Sequence, residues 1–272
     1  MRARGDMAGS DAGADGVIHW DVRRFDVLDS TNRFLLDEAR TGAPEGTVVV
    51  ANFQDAGRGR LDRRWLAPPG SSLLVSLLLR PALAAEDLHL VVAATALSAS
   101  DACEVAGGSR PAIKWPNDLV AGDGAGSLAG RKLAGILAEA DWSTSPPAVV
   151  VGIGINVNWP EDLQPDHALA EATALNRIGG IDRDRDALLE AFLGAMSVRY
   201  RDLATDGGRR RQMGEYRQRC NTIGQPVSVA THDETFGGTA LDVDDGGRLL
   251  VDVGACIRTV AVGDVVHLRP AG

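Results

Sequence analysis

The segment from residue 130 to residue 158 reads GRKLAGILAEADWSTSPPAVVVGIGINVN, and two strand patterns fill it. Residues 133–140 and 148–158 are rich in aliphatic side chains and are flanked by residues that favour turns. Short apolar runs bounded in this way are typical of β-strands. The glycine-rich stretch 122–130 before them is predicted to be a hairpin loop. The middle of the chain therefore predicts sheet structure.

Predicted strands and helices alternate on both sides of this segment. Further strands are predicted at 17–28, 47–53 and 73–79. Helices are predicted at 30–39, 87–106, 185–203 and 209–219. Ser30 suits the N-cap of the first helix, and Gly107 and Gly108 close the second. This order predicts an α/β (α+β) fold with layered helices and sheet.

The composition changes after Asn221. Short strands are predicted at 226–230, 238–243, 248–253 and 257–262, and Asp245, Gly246 and Gly247 form a turn between two of them. Such a pattern indicates a small barrel of about fifty residues. We therefore expect three parts: a disordered tail at 1–16, a large domain at 17–222 and a small domain at 223–272.

Charge and composition argue against several classes of protein. The 272 residues carry a net charge of −9, which is opposite in sign to the usual surface of a duplex-DNA binder. The three cysteines follow no metal-ligand spacing, so reduced thiols in a cytoplasmic protein are expected. No apolar run approaches the length of a membrane span, because Ser76 and Arg80 interrupt the longest one.

Lysine is rare in this chain, since only Lys114 and Lys132 occur among 28 basic residues. Arginine replaces lysine freely on a solvated surface, but a compact point charge against a phosphate or carbonyl oxygen requires lysine. The alternative is that both are remnants of an arginine-biased composition. Their position inside unusual motifs favours a chemical role.

Residues 54–65, QDAGRGRLDRRW, form the densest functional signal. Four arginines fall within seven residues, and glycines between them let backbone N–H groups approach an anion closely. A solvated basic loop is the alternative. The interleaved glycines, Trp65 and the flanking strands favour a loop that binds a polyanion and orders over it.

Three further stretches combine polar groups with turns or strand ends. Ser30, Thr31 and Asn32 are a plain N-cap or, alternatively, a site for a small polar ligand. Residues 114–118, KWPND, place a cation, a ring, an amide and a carboxylate at a strand end, where an ordinary turn needs neither the lysine nor the tryptophan. The glycines at 152 and 154 mark close approach of a ligand or a neighbouring strand.

Together these motifs resemble the biotin protein ligases, in the order of that family and over about residues 20 to 270. The resemblance rests on the loop 54–65 and on the runs KWPND, RKLAGIL and GIGINVN. One departure is Asp62, where the family's loop usually has glycine. The resemblance implies a mixed-sheet catalytic domain of the class II synthetase-like kind, followed by an SH3-like barrel.

The resemblance also implies a reaction in two steps. Biotin and MgATP give biotinyl-5′-AMP and pyrophosphate, and a lysine of a biotin carboxyl carrier protein then attacks the adenylate. The implied catalytic residues are Lys132, Arg58, Lys114 and Asp118. The implied biotin site contains Ser30, Thr31, Asn32, Gln54, Gly57, Arg58, Lys132 and Gly135. The implied nucleotide site contains Arg58, Gly59, Arg60, Arg63, Trp65, Asn117, Lys132 and Asn156.

Two roles stay open within this scheme. Asp118 could orient or deprotonate the incoming ammonium, while Lys114 could hold Asp118 ionised or stabilise developing charge. The metal ligands for Mg²⁺ are not identified by any motif. The expected partner is the carrier domain of an acyl-CoA or pyruvate carboxylase, and a monomer or weak homodimer is expected.

Three other functions fit these motifs less well. A lipoate or octanoate ligase would keep the strand lysine but not the loop with its tryptophan. A biotin-responsive repressor needs a helix-turn-helix, for which the start of the pattern near Val17 leaves no room. A protein that only binds biotin or a nucleotide would not need Lys132 and Asp118 together.

Overall fold

A computed structural model describes residues 18–60, 63–163, 169–231, 234–261 and 264–267. The predicted tail at 1–16 lies outside these ranges. A seven-stranded sheet in the order β1-β2-β3-β7-β6-β5-β4 forms the centre of the molecule. Its strands are β1 (Asp21–Leu28), β2 (Thr47–Gln54), β3 (Ser72–Leu79), β4 (Ala112–Lys114), β5 (Asp118–Val120), β6 (Lys132–Asp141) and β7 (Ala148–Asn156). Strands β1 and β2 are parallel, and the other pairs are antiparallel.

The helices are α1 (Thr31–Arg40), α2 (His89–Gly107), α3 (Leu175–Gly179), α4 (Arg185–Asp202) and α5 (Asp206–Arg219). Side chains that alternate along a strand reach both faces of the sheet. On one face Val49, Leu78 and Val150 pack in a cluster with Leu35 of α1. On the other face the alternate residues of the same strands pack in the larger cluster that contains α2 and α4. The sheet is therefore covered by helices on both faces.

Helix α2 corrects one expectation from the sequence. The helical segment Ala85–Gly107 has a mean hydropathy of 1.3 over its most apolar window, so its length and composition would allow a membrane span. Within the fold, however, 72% of that window is buried, and the helix packs in the main core. Gly108 ends α2 in the left-handed conformation, with φ of 69°, as the sequence predicts.

Most predicted elements are confirmed, with shifts at their ends. The first strand begins at Asp21 rather than at 17, and α5 begins at Asp206 because Thr205 accepts a hydrogen bond from the Gly208 N–H as its N-cap. The predicted loop 122–130 contains a short 3₁₀ helix, Asp123–Leu128. Four elements were not predicted: β4, β5, α3 and a last strand at Asp264–His267, each of five residues or fewer.

The carboxyl end forms a second, antiparallel sheet in the order β11-β10-β9-β8-β12. Its strands are β8 (Pro226–Ala230), β9 (Thr235–Val243), β10 (Leu249–Asp252), β11 (Ile257–Val260) and β12 (Asp264–His267). The fold is thus a mixed sheet followed by a small all-β unit, which confirms the predicted class and is consistent with an SH3-like barrel. The division at residues 222 and 223 stays a prediction.

The β9–β10 turn contacts the large sheet's helices and hairpin. Gly247 O accepts a hydrogen bond from Trp115 Nε1 at 2.9 Å, and His89 Nε2 at the start of α2 lies 3.1 Å from Asp245 O. Gly247 has φ of 69°, and a Cβ atom built there would lie 2.4 Å from the His89 ring. Only glycine therefore fits this turn without displacing His89.

We predict that Gly247→Ala lowers the melting temperature by about 4–8 °C, because a left-handed alanine and the steric conflict cost about 2 kcal/mol. Gly246→Ala is the matched control. A Cβ atom at 246 would contact only the side chains of Asp244 and Arg248, at 3.2 Å or more. Calorimetry of both variants tests the prediction, and equal melting temperatures would contradict it.

Candidate active site

Two cavities meet at one end of the large sheet. The larger measures about 1090 Å³ and is lined by residues 58–60 and 63–66 of the loop, by the hairpin 114–118 and by the start of β6. The smaller measures about 30 Å³ and lies between α1, β6 and β7. Both are lined by Arg58, Trp65, Gly135 and Leu137. All of the predicted site residues except Gly57 line one or both of these cavities, although they lie far apart in the sequence.

The smaller cavity carries a cluster of neutral polar groups. Gln54 Oε1 accepts hydrogen bonds from the Thr31 N–H at 2.7 Å and the Thr31 hydroxyl at 3.0 Å. The Ser76 hydroxyl lies 2.7 Å from Thr31 Oγ1, and Ser30 is buried beside them as the N-cap of α1. Neutral donors and acceptors of this kind suit an uncharged polar group of a ligand.

Asn32 lines the same cavity, but protein atoms occupy its amide. Its Nδ2 donates to Leu137 O and to Glu139 Oε2, both at 3.0 Å, and its Oδ1 accepts from Ser76 at 2.6 Å. Gly152 lies directly beneath, since a Cβ atom there would be 2.0 Å from Asn32 Oδ1. Asn32 therefore ties α1 to β6, which the sequence did not reveal.

Trp65 forms the wall between the two cavities. A Cβ atom at Gly154 would lie 2.5 Å from its indole ring, and one at Gly135 would lie 3.0 Å from it. The indole Nε1 is buried and has no hydrogen-bond partner among the described residues. The glycines at 152 and 154 were expected to allow close approach of a ligand or a strand. The groups that approach are in fact the side chains of Trp65 and Asn32.

Lys132 and Asp118 form an ion pair at the junction, with Lys132 Nζ 2.7 Å from Asp118 Oδ1. Lys132 Nζ also lies 5.7 Å from the centre of the Trp65 ring, within reach of a cation–π interaction. Lys114 is the cross-strand neighbour of Asp118 in the β4–β5 hairpin, yet it makes no ion pair with any described residue. Asp118 therefore pairs with Lys132, and the two roles suggested for Lys114 stay predictions.

The arginines of the loop point in different directions. Arg58 Nη1 lies 2.9 Å from Glu139 Oε1, on the side of the smaller cavity. Arg60 Nη1 donates to Asn117 Oδ1 at 3.1 Å, on the side of the larger one, where Arg63 also lies. Asp62 lies outside the described residues.

The loop closes on itself through its backbone. Gly59 N–H donates to Arg63 O at 2.7 Å, and Trp65 N–H donates to Gly57 O at 2.9 Å. A Cβ atom at Gly57 would lie 2.6 Å from Trp65 O. Position 57 therefore requires glycine, because the backbone of Trp65 passes close to it.

Asn117 and Asn156 line the larger cavity but are held by the sheet. Asn117 Nδ2 donates to Ile136 O at 2.7 Å, and Asn156 Nδ2 donates to Thr173 O at 3.0 Å.

Beneath the hairpin, Tyr216 donates to Pro116 O at 3.4 Å. Burial raises the pKa of the Tyr216 phenol well above its usual value, and nearby Cys220 and Asp118 raise it further. Tyr216 therefore stays a neutral donor.

The charge of the larger cavity is opposite to that of the whole chain. Among the described residues that line it, seven are arginine or lysine and two are acidic, whereas the chain carries a net charge of −9. Such a local excess of positive charge attracts a polyanion. No group of three or more His, Cys, Asp or Glu side chains within the described ranges is arranged to hold a metal ion.

Two features of the site were missed by sequence analysis. Glu139 accepts hydrogen bonds from Arg58 and Asn32. In the sequence it follows only the strand alternation of β6, so no pattern indicates this role. The segment 169–173 flanks Lys132, whose N–H donates to Glu171 O at 2.8 Å while its carbonyl accepts from the Thr173 N–H. Both contacts join residues distant in sequence, so no local pattern predicts them.

A mixed sheet, a small all-β unit and a cationic cavity beside a neutral pocket fit the class of ligases that the motifs predict. Two family models match the chain. The biotin/lipoate A/B protein ligase family matches residues 24–156, and the biotin protein ligase C terminal domain matches residues 222–268.

Individual relatives agree with these matches. The biotin–[acetyl-CoA-carboxylase] ligase of Mycobacterium tuberculosis is 35% identical over 257 residues, covering 91% of this chain and 90% of that protein. The bifunctional ligase/repressor BirA of Bacillus subtilis is 34% identical over 241 residues, covering 88% of this chain and 72% of that protein. The structure of biotin protein ligase from Aquifex aeolicus in complex with biotin and ATP aligns with a TM-score of 0.77 and 26% identity, covering 92% of this chain and 99% of that one. The chain belongs to the biotin protein ligases and is an enzyme of the ligase class.

We predict that Gly154→Ala weakens biotin binding at least tenfold, or about 1.4 kcal/mol. The new methyl group would displace the Trp65 indole from the wall of the smaller cavity and would itself occupy ligand space. Isothermal titration calorimetry measures the affinity. Gly194→Ala in α4 is the control, because a Cβ atom there meets nothing within 4 Å. Unchanged biotin affinity in Gly154→Ala would contradict the role of Trp65 as the wall of the smaller cavity.

Proposed function

We propose that this ligase activates biotin with ATP and transfers it to a lysine of a biotin carboxyl carrier protein. The observation that carries the proposal is the junction of the two cavities, where Lys132 lies against Gly135. On one side the neutral polar groups of Thr31, Gln54 and Ser76 suit the urea group of biotin, and the cavity of about 30 Å³ must widen to admit the fused rings. A cationic cavity on the other side suits the triphosphate. Their junction brings the biotin carboxylate to the α-phosphate.

In the first step a carboxylate oxygen of biotin attacks the α-phosphorus of ATP. The bond between the α-phosphorus and the bridging oxygen breaks, and pyrophosphate leaves. Both reactants are anions, so fixed positive charges must offset their repulsion. Lys132 supplies a compact charge at the junction, and Arg60 and Arg63 face the phosphates. Trp65, Asn117 and Asn156 form the walls on the nucleotide side.

Magnesium enters this scheme as part of the MgATP substrate. Mg²⁺ in nucleotide sites is bound largely by phosphate oxygens and water, with one or two protein carboxylates. The lack of a three-ligand cluster among the described residues fits such a substrate-borne ion. Asp118 and Glu171 are the carboxylates that line the larger cavity.

In the second step the ε-amine of the carrier lysine attacks the adenylate carbonyl, and AMP leaves. The attacking amine must first lose a proton. Asp118 lies at the junction and is the nearest candidate to orient or accept from that ammonium. Lys114 lines the cavity on the adjacent strand and is placed to stabilise the developing charge. The carrier belongs to a biotin-dependent acyl-CoA or pyruvate carboxylase in this proposal.

Two alternatives use the same fold. A lipoate or octanoate ligase is one, since the matched family model includes lipoate enzymes. The hydrogen-bonded cluster of Thr31, Gln54 and Ser76 favours biotin, because the urea group of biotin needs such partners and an alkyl chain does not. A DNA-binding repressor is the other, and the net charge of −9 argues against it. Cytoplasmic location and a monomeric or weakly dimeric state stay predictions.

The experiment that tests the proposal is exchange of labelled pyrophosphate into ATP. We predict that exchange depends on biotin and that lipoate at equal concentration supports less than about 1% of the rate. Rejection of this size is expected where buried polar groups would be left unpaired by the wrong ligand. If lipoate supports exchange equally well, the chain is a lipoate or octanoate ligase.

A further inference from the structure

Glu139 in β6 joins three parts of the site. Its Oε1 lies 2.9 Å from Arg58 Nη1, and its Oε2 accepts from the same nitrogen at 3.2 Å. Oε2 also accepts from Asn32 Nδ2 at 3.0 Å. Arg58 belongs to the arginine loop, and Asn32 belongs to the first turn of α1. One carboxylate therefore ties the loop and α1 to the sheet.

The position of Glu139 places it beside the smaller cavity without lining it. Its ion-pair partner Arg58 lines both cavities, and Asn32 lines the smaller one. Gly57 and Gly59 flank Arg58, and neither has a side chain that could anchor that part of the loop. The backbone bonds of Gly59 to Arg63 and of Trp65 to Gly57 lie within the loop, whereas Asp55 and Ala56 at its start donate to Leu28 O and Asp29 O. The Arg58–Glu139 pair is therefore a side-chain tie from this part of the loop to β6.

We infer that Glu139 is a positioning residue that fixes Arg58, and through it the backbone of residues 57–59, at the entrance of the biotin pocket. Arg58 and Glu139 are 46% and 22% exposed, so their pair is a moderate interaction that water weakens. Such a tie biases the position of the loop. It contributes to retention of biotin and the adenylate rather than to the chemical step.

Arg58 and Arg60 have different roles in this arrangement. Arg58 faces the Glu139 carboxylate, whereas Arg60 donates to Asn117 on the nucleotide side. The sequence-based assignment placed both arginines in the nucleotide site and placed Arg58 in the biotin site as well. In the inferred arrangement Glu139 acts through Arg58, and Arg60 binds the phosphates. The retention part of the inference rests on the proposed function, while the positioning part does not.

The test is a double-mutant cycle of Glu139→Gln and Arg58→Gln. Glutamine removes the charge of residue 139 but keeps an oxygen that accepts from Asn32. In the protein that keeps Arg58, Glu139→Gln should raise the KM for biotin and the release rate of biotinyl-AMP about threefold to fivefold. A change of this size is expected when a partly exposed ion pair is lost. The maximal exchange rate should stay within about twofold. In the Arg58→Gln background the same substitution should change neither quantity, because the partner is already lost.

Asp141→Asn is the matched control for stability. Asp141 lies in the same strand and pairs with Arg40 of α1 at 2.6 Å, but it lines neither cavity. Ser143 and Arg40 lower the pKa of Asp141 to about 2, so its loss also removes a strong set of hydrogen bonds. A general loss of stability should therefore appear in Asp141→Asn, whereas the rise in KM should not.

Limited digestion with trypsin supplies a readout that does not need activity. Cleavage after Arg64 in the substrate-free protein should be about threefold to fivefold faster in Glu139→Gln than in the wild type. Equal cleavage and an unchanged KM would overturn the inference, as would equal effects of Glu139→Gln in both backgrounds. If the wild type shows no biotin-dependent exchange while cleavage still responds to Glu139→Gln, the proposed function fails and the positioning role stands.

Discussion

The ion pair between Lys132 and Asp118 is the interaction on which the arrangement of the site depends. The two residues come from neighbouring strands, and their side chains meet where the two cavities join. They are 38% and 24% exposed, so the pair contributes about 1 kcal/mol or less to stability. Its importance is positional. It holds one compact positive charge in a fixed place without removing that charge from water, so an anionic substrate can still use it.

The space around this charge comes from glycine. Gly135, Gly152 and Gly154 lie in the two central strands, and each has a side chain of another element in the volume that its own Cβ would need. Trp65 and Asn32 fill that volume and thereby connect the arginine loop and α1 to the sheet. Glycine in a strand weakens the strand, because it adds no packing and costs conformational entropy. The buried aliphatic residues of β3 and β7 offset that loss.

Long, strongly apolar elements were predicted from the sequence because their pattern is local. The strand at 73–79 and the helix at 87–106 are observed at Ser72–Leu79 and His89–Gly107. The motifs also led to the candidate residues, because glycine, lysine and tryptophan stand out by type and order. The partners of these residues were not predictable. Asp118 pairs with Lys132 rather than with its cross-strand neighbour Lys114, and Arg58 pairs with Glu139. These choices depend on strand register and on side-chain direction, which no local pattern contains.

In the proposed reaction a point charge at position 132 serves adenylate formation. The most direct measurement compares Lys132→Arg and Lys132→Met in biotin-dependent pyrophosphate exchange, with melting curves for both. We expect both variants to lose at least about hundredfold in exchange, the size of effect expected when a fixed charge-stabilising group is lost from a transition state. We also expect Lys132→Arg to melt close to the wild type, because arginine can still pair with Asp118. Exchange near the wild-type rate in Lys132→Arg would contradict the claim.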